Sequence, residues 1–302
     1  MKTFKVKQVD TFTTKPFSGN PAGVVVNATG LTSVEMQKIA QEMNLPATTF
    51  VFTPHNERAD FFVRYFLPRS EVAVGGHPTI ATIHALIEEG KIGLDKNYQQ
   101  IWLETGAGIL PVEINGSNEG NYTITMTMAT PKFDDAGISH EELAAILGTD
   151  RNNLDDQYAI RKMNTGIHWF VVRLKKLAAI RNLHPDLAAI ANLSRREKVA
   201  GIQVFTTETE DFQCDFHVRT FIPNEGVDED IVCGTGNSCI AAFIVENEIV
   251  KTNGKIRFIS EQGIELGRPS RVYIEVEGKP HNITKVKISG TAVTVLTGEI
   301  HL

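Results

Sequence analysis

Asp60-Phe-Phe-Val-Arg-Tyr-Phe-Leu-Pro68 returns 155 residues later as Asp215-Phe-His-Val-Arg-Thr-Phe-Ile-Pro223, with six of nine positions identical. Both copies are rich in aromatic and β-branched residues and are stopped by proline, which reads as a strand. The match extends outward. Gly75-Gly-His-Pro-Thr79 and Cys233-Gly-Thr-Gly-Asn237 are glycine turns that each open an apolar stretch. Ile101-Trp-Leu-Glu-Thr-Gly106 and Phe258-Ile-Ser-Glu-Gln-Gly263 then form a third pair. The order strand, glycine turn, helix, strand therefore occurs twice. The spacing is far beyond the ~50 residues of stacked solenoid repeats, so the reading is a pseudo-twofold pair of like halves.

Both predicted helices are apolar nearly all round, through Ile80–Ile87 and Ile240–Val245, and such helices are buried. Short alternating segments surround them, among them Thr3–Phe12, Ala22–Val26, Thr49–Phe52, Tyr122–Met128, Phe170–Leu174, Gln203–Thr206, Phe212–Ile222 and Arg271–Glu277. The expected class is α+β, with each half a mixed β-sheet curled round a central apolar helix. The halves are drawn at 1–118 and 119–288, with a polar linker near Pro131–Ser139. A terminal strand within 289–302 is free to return to the N-terminal half. Amphipathic helices fit Ser33–Met43, His140–Leu147 and Pro185–Leu193, with Ser33 as an N-cap.

The 302 residues carry a formal charge of −6 and no basic stripe, which argues against nucleic acid. No apolar run nears the ~20 residues of a membrane span. Three cysteines are too few and too odd for a disulfide framework, which reads as reduced thiols in a cytoplasmic protein.

Two glycine turns feeding two buried helices locate the chemistry. A helix N-terminus offers free N–H groups and about half a positive charge, so it binds a carboxylate and lowers the pKa of a thiol placed there. Like halves would aim both termini into one inter-domain cleft. His77 is read as the N-cap of the first helix, because Pro78 suits the first helical position. Cys233 occupies the second turn and is a candidate acid/base or substrate contact. Asp230, beside Glu229, is a loop acid next to that turn. Cys214 and Cys239 read as buried filler. Ser18–Gly23 and Asn164–His168 are matching loops that would border the cleft, with His168 read as a core residue. There is no Walker loop, dinucleotide fingerprint, GxSxG elbow, HExxH or CxxC, and no carboxylate cluster at metal spacing. The expectation is proton transfer without metal or cofactor.

Taken in order, Val9-Asp-Thr-Phe12, Gly19-Asn-Pro-Ala-Gly23, Met36-Gln-Lys-Ile-Ala40, Arg64-Tyr-Phe66, Gly76-His-Pro-Thr79, Glu229-Asp230 and Cys233-Gly-Thr-Gly-Asn237 carry a resemblance. The chain resembles the PhzF-like isomerases of phenazine biosynthesis, within the diaminopimelate-epimerase-like group, nearly end to end. The resemblance implies two like halves with the site between them, a homodimer, no cofactor, and a proton shift on a small carboxylate-bearing substrate. It places the family's catalytic histidine on His77, its aspartate on Asp230 and its small hydroxyl residue on Thr235; the two glycine turns and the Ser18–Gly23 loop make Asn20, Gly76, Gly234 and Gly236 the expected substrate-binding positions. The family glutamate falls on Ala47, whose methyl group cannot take a proton. Cys233 stands where members often carry threonine and resembles one turn of the cysteine-based epimerases, but the partner position is Gly75. Two alternatives follow: a catalytically silent small-molecule-binding homologue, motivated by Ala47, and a one-cysteine epimerase or racemase, motivated by Cys233.

Overall fold

A computed structural model of the chain describes residues 2–94, 96–116 and 122–302. It divides into two compact units, Met1–Met126 with Ser289–Leu302, and Thr127–Ile288. The 118/119 boundary expected from sequence lies outside the described residues.

The first unit runs β1 (Thr3–Thr11), β2 (Asn20–Val25), α1 (Ser33–Met43), β3 (Ala47–Phe52), β4 (Phe61–Phe66), β5 (Glu71–Val72), α2 (Gly76–Glu88), β6 (Tyr98–Thr105), β7 (Gly108–Gly116) and β8 (Tyr122–Thr127). The second runs β9 (Lys132–Asp135), α3 (His140–Leu147), β10 (Arg161–Asn164), β11 (His168–Arg173), α4 (Leu177–Arg181), α5 (Leu187–Glu197), β12 (Gly201–Thr206), β13 (Phe216–Ile222), β14 (Val227–Asp230), α6 (Gly234–Glu246), β15 (Lys255–Gln262), β16 (Ser270–Lys279) and β17 (Asn282–Gly290). The last strand, β18 (Ala292–His301), pairs antiparallel with β1.

The protein is α+β, and the internal repeat is a repeat of sheet topology. In the first unit β1–β2 is antiparallel, β2–β3 parallel, β3–β4 antiparallel, β4–β6 parallel and β6–β7 antiparallel. In the second, β10–β11, β11–β12, β12–β13, β13–β15 and β15–β16 follow the same sequence of directions. Each sheet packs on its own central helix: α2 on β1, β2 and β3, and α6 on β11, β12 and β16. Residues 78–86 of α2 and 236–245 of α6 are buried, so these helices have no solvent face to make polar.

The repeated residues hold equivalent joints. Asp60 exchanges two bonds with Trp102, N–H to carbonyl at 2.8 Å and carboxylate from N–H at 2.7 Å. Asp215 does the same with Ile259, at 2.7 and 2.7 Å. Arg64 forks onto Glu71 and Arg219 onto Glu229, each with two bonds of 2.7–2.8 Å. Glu104 accepts the N–H groups of His55 and Asn56, and Glu261 those of Glu210 and Asp211, closing the turn that precedes each repeated strand.

Local differences from the sequence reading have local causes. The N-cap of α1 is Thr32, not Ser33: Thr32 Oγ1 accepts from Glu35 N–H while the Glu35 carboxylate accepts from Thr32 N–H, a full capping box. Helix α5 starts at Leu187 on an Asp186 cap and continues to Glu197. Phe212 is 93 % exposed in a turn, and its strand begins only at Phe216. The stretch read as a linker contains β9, which pairs with β10. Among the described residues no helix is long and apolar enough to cross a membrane.

Candidate active site

In the first unit the glycine turn is capped by Gly75, in extended conformation, and the helix begins at Gly76. The Gly75 carbonyl accepts both the N–H and the hydroxyl of Thr79, at 3.2 and 2.7 Å. His77 is therefore the second helical residue, not the N-cap. Pro78 is the third, where its missing N–H still costs nothing. The imidazole Nε2 is buried without a hydrogen-bond partner among the described residues, and burial pushes the His77 pKa down to about 3. It is a neutral imidazole at physiological pH, able to donate or accept one proton but not to present a cation. A side chain added at Gly76 would meet nothing within 4 Å, so that backbone is open to a ligand. Asn20 opens β2 and Ala47 opens β3; both are buried, and Ala47 pairs with Ala22 across the parallel ladder.

In the second unit Asp230, Cys233, Gly234, Thr235 and Gly236 are gathered in one strand–turn–helix. Asp230 is not a loop acid. It ends β14 opposite Thr220 and is half-buried, so the ladder fixes its backbone. Cys233 is the N-cap of α6, its Sγ accepting from Gly236 N–H at 3.3 Å. The expected low thiol pKa is reversed. Burial, and then the nearby Asp230 charge, push the Cys233 thiol up to about 12 against the smaller help of Thr235 and Gly236. The desolvation cost exceeds what the helix terminus returns. Cys214 and Cys239 are likewise buried and pushed up to about 12.

Thr235 is held from two sides: Trp169 Nε1 donates to its hydroxyl at 3.0 Å, and Thr165 Oγ1 donates to its carbonyl at 3.0 Å. Trp169 and Thr165 lie in the loop-and-strand segment that sequence matched to Ser18–Gly23, yet only their contacts mark them as part of the site. His168 is half-buried beside Asn164, not in the core. Gly236 is glycine because Gln203 lies against it: a Cβ there would sit 2.1 Å from Gln203 Nε2. Among the described residues no group of three or more histidine, cysteine or acidic side chains is arranged to hold a metal.

The second turn thus presents a carboxylate, a hydroxyl and the first N–H groups of a thirteen-residue helix, a set suited to holding an anionic substrate and moving a proton beside it. The family model described as phenazine biosynthesis-like protein, PhzC-PhzF, matches residues 9–298. The chain belongs to the PhzF family. It is similar to an uncharacterised isomerase of Clostridium acetobutylicum, 36 % identical over all of this chain and 99 % of that one. It is also similar to trans-2,3-dihydro-3-hydroxyanthranilate isomerase of Pseudomonas chlororaphis, at 31 % identity over 97 % of this chain and 98 % of that enzyme. The crystal structure of a PhzF-family phenazine biosynthesis protein of Bacillus anthracis covers both chains fully at 34 % identity, with a TM-score of 0.91. The fold and the isomerase class of the chain are those of the PhzF family.

Proposed function

We propose that this PhzF-family isomerase moves a proton between two carbons of a small carboxylate-bearing substrate, with Asp230 as the proton carrier. The observation that supports the reading is the turn from β14 to α6: Asp230 ends the strand, its charge acts on the Cys233 cap, and Thr235 lies in the first turn of the helix. Ala47 cannot carry a proton, and Cys233 is a thiol rather than a thiolate, which leaves Asp230 as the carboxylate of the site. In the reaction the Asp230 carboxylate takes a C–H proton, the electron pair shifts through the adjacent double bond, and the acid form, its proton exchanging with solvent, protonates the far carbon. The Thr235 hydroxyl and the α6 N–H groups hold the substrate anion. The reading takes the enzyme to work as a cytoplasmic homodimer without a cofactor. The high Cys233 pKa argues against the one-cysteine epimerase alternative.

The test uses trans-2,3-dihydro-3-hydroxyanthranilate, the substrate in the name of the Pseudomonas relative, in heavy water with mass-spectrometric readout. Wild type is expected to isomerise the compound with deuterium uptake, and Asp230→Asn to lose about 10²–10⁴-fold, the usual worth of a general acid–base group. The Ala47 methyl favours one competing reading, a silent binding homologue. Saturable binding of the compound without isomerisation or uptake would establish that reading and overturn ours.

A further inference from the structure

Gln262, the last residue of β15, is 1 % exposed and uses its whole amide. Its Oε1 accepts from Cys233 N–H at 3.3 Å and from Asn237 Nδ2 at 2.7 Å. Its Nε2 donates to the Asp230 carbonyl at 3.0 Å and to Thr220 Oγ1 at 2.9 Å. One side chain therefore joins β13, β14 and the N-terminus of α6. Its partners are themselves anchored. The Thr220 hydroxyl donates to Gln203 Oε1 at 2.7 Å, and Ser260 Oγ donates to Asn237 Oδ1 at 2.5 Å.

The twin half shows that this clamp is not needed to build the turn. Glu104 and Glu261 are equivalent, so the residue at the Gln262 register is Thr105. Its hydroxyl bonds within its own hairpin, donating to the Gly108 carbonyl at 2.8 Å and accepting from Ala107 N–H at 3.1 Å. There α2 is tied to β4 through Tyr65 and Thr79, hydroxyl to hydroxyl at 2.9 Å. The same strand–turn–helix thus forms without a four-way amide. The half that has the amide is the half that carries the acid.

We propose that Gln262 is a positioning residue: it fixes the Asp230 backbone against the α6 turn, so that the carboxylate and the Thr235 hydroxyl keep one mutual geometry. The proposal rests on the role of Asp230 given above. A displacement on the order of 1 Å at a reacting group costs about 10²-fold.

The experiment compares wild type with Gln262→Leu and Gln262→Glu by two readouts. The first is amide hydrogen exchange at Cys233; the second is kcat and KM for trans-2,3-dihydro-3-hydroxyanthranilate, well below the melting temperature. Glutamate still accepts from Cys233 and Asn237, but its ionised form cannot donate to the Asp230 carbonyl, so it keeps the fold accessible if leucine does not. The expected result is Cys233 exchange faster by about fivefold or more in Gln262→Leu, and kcat lower by about 10²-fold in both variants with KM within about threefold of wild type. Cys233 exchange unchanged in Gln262→Leu, or kcat unchanged in folded variants, would overturn the proposal. Absence of turnover in wild type would overturn the isomerase reading instead, and Cys233 exchange would still decide whether Gln262 holds the turn.

Discussion

Replacing Cys233 separates a thiol that does chemistry from one that caps a helix. With the thiol pushed up to about 12, the thiolate is a very small minority at pH 7.5, too little for an efficient base. Its Sγ instead accepts from Gly236 N–H, one of the donors the helix leaves unpaired. Serine is a preferred N-cap, so Cys233→Ser should keep the cap, keep kcat within about twofold and leave the melting temperature level or higher. Cys233→Ala loses the acceptor, at a cost of ~0.5–2 kcal/mol. For a cooperative unit the size of Thr127–Ile288 each kcal/mol corresponds to about 2–4 °C. The assay is deuterium uptake into trans-2,3-dihydro-3-hydroxyanthranilate at pH 7.5 beside thermal unfolding of the same samples. Iodoacetamide labelling mapped by mass spectrometry tests whether the thiol is buried and protonated: Cys233 should stay unlabelled in the native protein at pH 7.5 and label on unfolding. A 10²-fold or greater loss of turnover in a fully folded Cys233→Ser protein would refute the reasoning, because that is what removing a working base does. Rapid native labelling at neutral pH would refute it from the other side.

Three further outcomes follow from the geometry. Gly236→Ala forces a methyl onto the Gln203 amide and should destabilise by ~1–3 kcal/mol in a denaturant titration; Gly76→Ala meets no atom within 4 Å, so it should leave stability near wild type while lowering turnover. Burial opposes the charge on His217, but its bonds to Glu261 and Glu265 outweigh that and lift its pKa to about 9. The raised pKa adds stability on the order of 3 kcal/mol that is complete below about pH 6.5 and lost as pH rises through 9, so the stability gap between wild type and His217→Gln should shrink over that window. Glu229→Ala strands the buried Arg219 and should cost ~3–5 kcal/mol, whereas Glu71→Ala, at the more exposed twin pair, should cost under ~1 kcal/mol; equal losses would show that burial does not set the difference.

The sequence by itself determined the architecture, because the duplication is written in residues with fixed local jobs. Asp60 and Asp215, Arg64 and Arg219, and Glu104 and Glu261 each close the same joint in their own half, and two helices apolar on every side had to be central. The glycine turns and their candidate residues were legible for the same reason: turn chemistry and helix starts depend on neighbours in the chain. What those residues are electrically was decided only by tertiary structure. The same helix-terminal position predicts an acidic thiol from sequence, yet burial and the Asp230 charge make Cys233 a weak acid, and burial alone makes His77 neutral. Asp230 reads as a loop acid until β14 pairs with β13. Gln262, 32 residues from Asp230 along the chain, carries no local pattern at all. Desolvation, strand pairing and amide clamps are sums over atoms distant in sequence, and only the folded chain brings them to one place.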